Sequence, residues 1–278
     1  MKSVLETING GASYLEKREV EDARRNMEHL LAKVLECSRM QLYTQFDRPL
    51  EEEVLAPLRE LLKKRGEGIP LQHLLGEVHF HGRDFTCDGR GLIPRPETEE
   101  LVEMILKQMP GEGLQILDVG CGSGVIGLSL AAGKPDSHVT LVDISEDALE
   151  LTRENAEKLG LGHVDIFQSN LLDQVTGSFD LIVANLPYVP EGEAATMARE
   201  LAYDPSLALF SGVDGMDLLR RFIPVAYGFL KPGGWLALEI GYDQASQVRL
   251  CLERSGFTEI EVRKDLSGIA RFPFAQHQ

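Results

Sequence analysis

The sequence is poor in cysteine and in basic residues, which argues against disulfide-rich, zinc-binding and nucleic-acid-binding proteins. Its 278 residues include four cysteines, and 28 lysines and arginines face 44 aspartates and glutamates, which gives a net charge of -16. This acidic balance opposes unspecific binding to nucleic acid or to an anionic membrane, although a local basic patch is compatible with it. The cysteines, which form no CxxC pair, are Cys37, Cys87, Cys121 and Cys251. No zinc site is expected, and free thiols in a reducing compartment are the simplest interpretation.

Long apolar runs are also missing from the chain. No run approaches the ~18 residues that a membrane-spanning helix requires. The first residues, MKSVLETINGG, lack the apolar core of a signal peptide. These absences, together with the free thiols, predict a cytoplasmic protein. At roughly 100–200 residues per domain, the length predicts one large domain, alone or with a small one.

The hydrophobic pattern divides the chain into three segments, 1–75, 76–95 and 96–278. The first segment has apolar residues at helical spacing in two amphipathic runs that separate at Arg48-Pro49. It predicts a small helical domain, which serves either as a packing cap or as a module that binds a partner.

The second segment predicts a β-hairpin. In EVHFHGRDFTC, Gly82 is placed at the turn between two short strands. His79 and His81 would then face one side of a strand, as two ligands of a metal do. No third ligand is evident, so no metal site is predicted.

The third segment alternates strands with helices. The candidate strands are LQILDV (114–119), HVTLVD (138–143), HVDIFQ (163–168), FDLIVAN (179–185), GWLALEI (234–240), TEIEVRK (258–264) and IARFPF (269–274). This alternation predicts an α/β fold in which helices cover both faces of a parallel sheet. Ligands of such sheets bind beyond the carboxyl ends of the strands, near the point where the strand order reverses.

Glycines alternate in the loop after the first of these strands. Gly120, Gly122 and Gly124 allow a sharp turn and a close approach to a ligand, and the next helix presents its N-terminal N–H groups. The loop also contains G-x-G-x-x-G, and Asp143 ends the next strand, where an acid binds ribose hydroxyls in dinucleotide-binding proteins. The loop alone therefore does not separate a dinucleotide from another adenosyl cofactor.

Three features favour a cationic adenosyl cofactor over NAD. Asp118 precedes the glycines, where a carboxylate would repel a pyrophosphate. Asp143, within VDIS, is placed to bind a ribose diol. The segment NLPY has no evident part in hydride transfer.

The segment NLPY follows the apolar strand FDLIVA. Pro187 restricts Leu186 to extended backbone, which makes the loop stiff. The Asn185 side-chain oxygen and a nearby backbone carbonyl are two acceptors at fixed spacing, and Tyr188 offers a flat face. The group that fits is planar and carries an NH₂, as a carboxamide or the exocyclic amine of a base does.

Such a nitrogen is a poor nucleophile because its lone pair is delocalised. Acceptors that orient its N–H bonds direct the lone pair at an electrophile and stabilise the positive charge that develops on nitrogen. A nitrogen held about 3 Å from a sulfonium methyl reacts in an effectively unimolecular step. No general base is needed before attack, because the proton can leave afterwards.

These motifs resemble those of the bacterial peptide chain release factor glutamine methyltransferases, the PrmC/HemK family, over nearly the whole chain. The matching blocks are PLQHLLGEVHFHGRDF (70–85), GLIPRPETEELVE (91–103), ILDVGCGSGVIGLSLA (116–131), VDISEDALE (142–150), NLPYVP (185–190), GVDGMDLLRRFI (212–223) and LKPGGWLALEIG (230–241). The combination of PRPETE with Asn-x-Pro-Tyr is the specific part of the resemblance.

The resemblance implies a class I S-adenosylmethionine-dependent methyltransferase. Its Rossmann-like, seven-stranded and mostly parallel sheet would occupy 96–278, after a hairpin linker at 76–95. The methyl acceptor would be the side-chain amide of the glutamine in the Gly-Gly-Gln motif of a release factor. The helical bundle, 1–75, would bind that release factor, and S-adenosylhomocysteine would be the second product. We expect a monomer that binds neither nucleic acid nor a membrane.

Carried over by position, the resemblance also implies the site residues. Asn185 and Tyr188 would be catalytic and, with Leu186 and Pro187, would bind the glutamine. The cofactor-binding residues would be Gly120, Cys121, Gly122, Ser123, Gly124, Asp143, Asn170, Leu171, Asn185, Arg95, Pro96 and Glu97.

One position departs from the family pattern, and rival functions stay open. Leu186 stands where the family usually has proline, so we expect retained activity with a looser loop. A DNA adenine or ribosomal RNA N-methyltransferase uses a similar motif, but the acidic charge and the lack of a basic, aromatic-rich appendage oppose it. A non-catalytic cofactor-binding scaffold, with Leu186 as decay, is a second rival, and an NAD oxidoreductase is a third.

Overall fold

The computed structural model describes residues 2–109, 111–196 and 199–278, with backbone only for 194–196. The chain forms two compact units. The first comprises the residues up to Glu77 and the short helix Arg199–Tyr203, and the second comprises the rest of the described chain from Val78.

The first unit is a helical bundle. Its helices are α1 (Val4–Glu16), α2 (Ala23–Val34), α3 (Arg39–Tyr43), α4 (Glu52–Gly66) and α5 (Leu71–Leu75), and its two-residue strands β1 (Lys2–Ser3) and β2 (Pro49–Leu50) pair antiparallel. Ser3 begins α1 with a capping box to Glu6. The apolar faces pack into one core in which Ile8, Leu30 and Leu31 are fully buried.

A β-hairpin precedes the sheet. Strands β3 (Glu77–Phe80) and β4 (Arg83–Thr86) are joined by His81 at φ 47° and Gly82 at φ 76°. Two successive positive φ values match the tight turns preferred by hairpins. The predicted placement of both imidazoles on one strand face is wrong, because His81 lies in the turn. No cluster of three or more potential metal ligands occurs in the part of the chain that the structure describes.

The second unit is built on a seven-stranded sheet. Its strands are β5 (Gln115–Val119), β6 (His138–Asp143), β7 (Asp165–Gln168), β8 (Phe179–Ala184), β9 (Leu230–Leu238), β10 (Thr258–Lys264) and β11 (Ala270–Gln276). The order is β10-β11-β9-β8-β5-β6-β7, with β11 antiparallel to both of its neighbours and the other pairs parallel. The predicted α/β fold is confirmed, although β9 begins at Leu230 rather than at Gly234.

Helices cover both faces of this sheet. They are α6 (Pro96–Gln108), α7 (Val125–Gly133), α8 (Glu146–Lys158), α9 (Asp217–Tyr227) and α10 (Ala245–Arg254). Along β8, Leu181 and Val183 join the core that contains residues of α6, α7 and α8. Ile182 and Ala184 join the core that contains residues of α9 and α10. Alternate side chains of one strand therefore fill two different layers.

The strand order reverses beside β5. Its parallel neighbours are β6 on one side and β8 on the other, so the connections that follow β5 and β8 leave the same edge of the sheet. This edge is where ligands of open α/β sheets bind. No described helix is long and apolar enough to cross a membrane.

Candidate active site

The glycine loop is held against β6. The amides of Gly120 and Cys121 both donate to the Val142 carbonyl, at 2.8 and 3.0 Å. Gly120 and Gly122 have φ values of 71° and 56°, in the left-handed region that favours glycine. A Cβ at Gly122 would meet no protein atom within 4 Å, so its backbone borders open space.

Asp143, at the end of β6, has a fixed carboxylate. Its Oδ2 accepts from the Gly122 amide at 2.9 Å, and its Oδ1 accepts from the Ser145 amide at 2.9 Å. Both bonds come from the backbone, so the carboxylate orientation does not depend on a mobile side chain. An anionic acceptor therefore stands beside the glycine loop in a constant position.

A cavity opens between the loops that follow β5, β6 and β8. Of the residues that the sequence resemblance assigns, its walls include Arg95, Gly120, Cys121, Gly122, Ser123, Asp143, Asn170, Leu171, Asn185, Leu186 and Pro187. Leu171 adopts φ 53°, an uncommon conformation for a leucine. Non-glycine residues in such conformations concentrate at functional sites.

Four assigned residues lie outside these walls. Gly124 is the N-cap of α7, and Pro96 is the first residue of α6, directly after its N-cap. Glu97 follows Pro96 in α6, and Tyr188 is the fourth of these residues. Burial is the main cause that raises the pKa of Tyr188, to about 12, and keeps its phenol neutral. Any part that Tyr188 plays is therefore in packing or hydrogen bonding rather than as a base.

The wall also contains residues that the sequence did not predict. Ile144 and Ser145 directly follow Asp143, which is a signal that a longer motif would have included. Pro205, Leu207 and Ala208 come from a segment distant in sequence, and no local pattern marks them. Asp204, just before them, accepts from the Arg95 guanidinium at 2.9 Å and from the Ile93 amide at 3.3 Å. These bonds join the PRPETE region to that segment.

Leu186 is packed into the core, although the sequence had suggested only that the loop would be looser without proline. Its side chain is 3 % exposed and belongs to the core that contains residues of α9 and α10. A Cβ at Gly120 would lie 2.9 Å from Leu186 Cδ2. The absence of a side chain at Gly120 thus makes room for the leucine, which anchors the loop after β8.

Asp118 does not reach the cavity in the way that the sequence suggested. It is fully buried, and its Oδ2 accepts from the Gly127 amide at 2.8 Å. Burial raises the pKa of Asp118 to about 7, although the Gly127 N–H lowers it. The carboxyl thus binds the first turn of α7 and does not line the cavity.

Glu239 is a buried carboxyl that the sequence analysis did not include in the site. It follows β9, is 1 % exposed, and accepts from the Thr98 hydroxyl at 2.8 Å. Burial raises its pKa to about 7, whereas Thr98, Arg271 and Asn185 lower it. The signal was present in LALEI, where one acid ends an apolar strand at the binding edge.

Comparisons with known proteins agree over both units. The family model described as Methyltransferase small domain matches residues 97–212, and the one described as PrmC N-terminal domain matches residues 6–76. The release factor glutamine methyltransferase of Geobacter sulfurreducens is 39% identical over 273 residues, which cover 98% of this chain and 94% of that protein. The protein of the same name from Chlorobaculum tepidum is 36% identical and covers 97% and 95%.

Solved structures support the fold. A methyltransferase from Pyrococcus furiosus superimposes with a TM-score of 0.53 at 21% identity, covering 70% of this chain and 88% of that one. At this identity the similarity shows the fold of the second unit and no more.

Proposed function

Because the chain belongs to the release factor glutamine methyltransferase family, we propose that it methylates the side-chain amide of the glutamine in the Gly-Gly-Gln motif of a release factor. The observation that carries this proposal is the position of Asn185. It borders the same cavity as the glycine loop and Asp143, at the edge where the strand order reverses. A carboxamide acceptor and an adenosyl cofactor would therefore meet in one cavity.

The walls fit S-adenosylmethionine, the cofactor of this methyltransferase fold. Asp143 offers two oxygens to a ribose diol, and the open space beside Gly122 admits a ligand close to the backbone. Asn170 and Leu171 would lie beside the adenine, one polar and one apolar. The cofactor supplies an electrophilic methyl group on a sulfonium. The roles of Cys121, Ser123 and Arg95 in binding it belong to the same proposal, as do indirect roles for Gly124, Pro96 and Glu97.

Asn185 and Leu186 would bind the acceptor nitrogen. The Asn185 Oδ1 and the Leu186 carbonyl accept its two N–H bonds, which directs the nitrogen lone pair away from them. Both acceptors also stabilise the positive charge that develops there. Pro187 keeps the Leu186 backbone extended, and Tyr188, which stays neutral, packs against the amide plane. The proton leaves after methyl transfer.

The helical unit would bind the release factor, since it matches the N-terminal domain model of this family. We also propose that the protein is a monomer, binds no nucleic acid and acts in the cytoplasm. Two observations support the last two of these points. All four cysteines are free thiols, and the net charge is -16.

The test is methyl transfer from labelled S-adenosylmethionine to a purified bacterial release factor, with ribosomal RNA and DNA as competing acceptors. Peptide mass spectrometry would locate the methyl group. We expect it on the Gly-Gly-Gln glutamine, and we expect Asn185→Ala to reduce the rate by about 100-fold or more, since a preorganised acceptor is lost.

Leu186→Pro is the matched variant, because it restores the residue usual in the family and keeps the backbone carbonyl. It should remain active. Label in nucleic acid would move the assignment to an N-methyltransferase of bases. Binding of the cofactor without label in any acceptor would favour the scaffold alternative.

A further inference from the structure

Asn185 and Glu239 lie side by side on one face of the sheet. In the parallel pair β8 and β9, Ala184 is opposite Leu238, and the Glu239 amide donates to the Ala184 carbonyl at 3.0 Å. Ala184 and Leu238 both point into the core beneath α9. Because side chains alternate along a strand, the next residue of each strand faces the opposite layer, beneath α6. Neighbouring strands are only about 4.8 Å apart, so the two polar side chains are within reach of one another.

Thr98 completes this group from above. It lies in the first turn of α6, is 2 % exposed, and donates its hydroxyl to Glu239 Oε2 at 2.8 Å. Burial raises the pKa of this carboxyl, and the Asn185 amide is one of the groups that lower it, as a donor close to the carboxylate does. An ionised carboxylate only accepts hydrogen bonds, so the amide nitrogen of Asn185 must face it. The Asn185 oxygen would then face away from the carboxyl, and Asn185 borders the cavity.

We propose that Glu239 is a positioning residue, whose carboxylate holds the Asn185 amide with its nitrogen inward and its oxygen towards the methyl-accepting nitrogen. This inference rests on the proposed function, because the orientation of Asn185 matters only for an NH₂-bearing acceptor. A reversed amide would present N–H donors to the N–H bonds of the substrate and could not bind it. Thr98 holds the carboxylate in place. A residue of the PRPETE block would therefore support methyl transfer indirectly, through Glu239 and then Asn185.

Protonation of Glu239 would remove this selection, because a carboxylic acid can donate to the Asn185 oxygen. Several groups decide where that occurs. Burial raises the pKa of Glu239 to about 7; Thr98, Arg271 and Asn185 lower it, and the charge of Glu97 raises it. Tyr188 also faces Glu239 but stays neutral in this range, with a pKa of about 12. The orientation should therefore be half lost near pH 7, nearly complete about one pH unit above it, and lost progressively below it.

The first test observes the contact itself. The side-chain ¹⁵N–¹H signals of Asn185, assigned by their loss in Asn185→Ala, should move with a midpoint near pH 7 in the full-length protein. The movement should be absent in Glu239→Gln. It should persist in Asp118→Asn, which removes the other buried carboxyl with a pKa near 7. Signals that do not titrate, or that titrate equally in Glu239→Gln, would overturn the inference.

The second test measures its consequence on methyl transfer. We expect kcat/KM for the release factor to fall about 100-fold in Glu239→Gln, since a misplaced acceptor costs on that order. Wild-type kcat/KM should fall as the pH drops through about 7, and this acid limb of the pH profile should disappear in Glu239→Gln. The dissociation constant for S-adenosylmethionine should stay within about twofold, because Glu239 is not part of the cavity wall. Equal losses of cofactor affinity and activity would indicate a purely structural role and contradict the inference.

Thr98→Val provides an independent variant if Glu239→Gln does not fold. Loss of the Thr98 donor should move the midpoint of both the amide signals and the acid limb to higher pH, and Thr98→Ser should restore them. An unmoved midpoint in Thr98→Val would count against the inference. Wild-type protein whose Asn185 signals titrate but which methylates no release factor would refute the proposed function and leave the Asn185–Glu239 contact standing.

Discussion

Gly122 and Gly160 have the same backbone handedness but different surroundings. Their φ values are 56° and 70°, and a Cβ at either position would meet no protein atom within 4 Å. Gly122 borders the cavity, whereas Gly160 follows α8 and is exposed. The pair therefore separates two reasons for a glycine, namely the cost of a left-handed backbone and the space that a ligand needs.

Alanine at either position should lower the free energy of unfolding by about 1 to 2 kcal/mol, because the left-handed conformation disfavours a Cβ. Only Gly122→Ala should also weaken binding of S-adenosylmethionine, by about tenfold or more, since its methyl group would occupy the ligand space. Urea unfolding and isothermal titration calorimetry would measure the two effects. Equal cofactor affinity in both variants would show that the cofactor does not approach this part of the loop.

At the scale of elements, one buried amide connects the loops around Tyr188. Gln244, at the N-cap of α10, is 3 % exposed and donates to the carbonyls of Tyr188 and Gly215 at 3.0 and 3.2 Å. Its oxygen accepts from the Gly241 amide at 2.9 Å. The loops after β8 and β9 and the approach to α9 are thus held by one side chain with all of these bonds made.

Gln244→Leu should lower the free energy of unfolding by about 2 to 4 kcal/mol, because it leaves buried backbone donors and acceptors without partners. The rate of methyl transfer should fall more than the affinity for the cofactor, since Tyr188 lies outside the cavity wall. Gln247→Leu is the matched control on the same helix: it is exposed, so its stability should change by less than about 0.5 kcal/mol. Chemical denaturation and single-turnover kinetics would test both variants, and similar behaviour of the two would contradict the role of Gln244.

At the scale of the whole molecule, buried carboxyls make stability depend on pH. Burial raises the pKa of both Asp118 and Glu239 to about 7. A carboxyl whose folded pKa exceeds its unfolded pKa binds more protons in the native state. Its contribution is complete below the unfolded pKa and is lost as pH rises through the folded pKa. The free protein should therefore become less stable between about pH 5 and pH 8.

Asp118→Asn should remove a large part of this pH dependence. The wild-type Asp118 contribution falls by about 2 to 3 kcal/mol between pH 5 and pH 8, and the asparagine variant has no such loss. The variant should therefore gain stability relative to wild type as the pH rises. Urea denaturation at the two pH values, without cofactor, would measure the difference. A constant difference between the two proteins would show that Asp118 does not titrate in this range.

Local pattern predicted most of the elements because they are continuous in sequence. The apolar runs from LQILDV to IARFPF became the seven strands, and the hairpin turns at Gly82 as expected. The wrong prediction that His79 and His81 share a strand face also has a local cause, since His81 belongs to the two-residue turn. At Leu186 the sequence indicated only the loss of the rigid backbone that proline has. The burial of Leu186 against Gly120 was not predictable, because it depends on the packing of two separate loops.

By itself, the sequence determined the α/β fold, the glycine loop, the acid after β6 and the family, because each depends on residues that are close together along the chain. The tertiary structure decided which side chains border the cavity. It buried Asp118 away from the cavity wall, brought Pro205 and Leu207 into the wall, and set Glu239 beside Asn185. The physical reason is that strand register and burial are properties of pairs of distant segments. Pairing of β8 with β9 turns an acid in an apolar strand into a partner of the amide that the family motif contains.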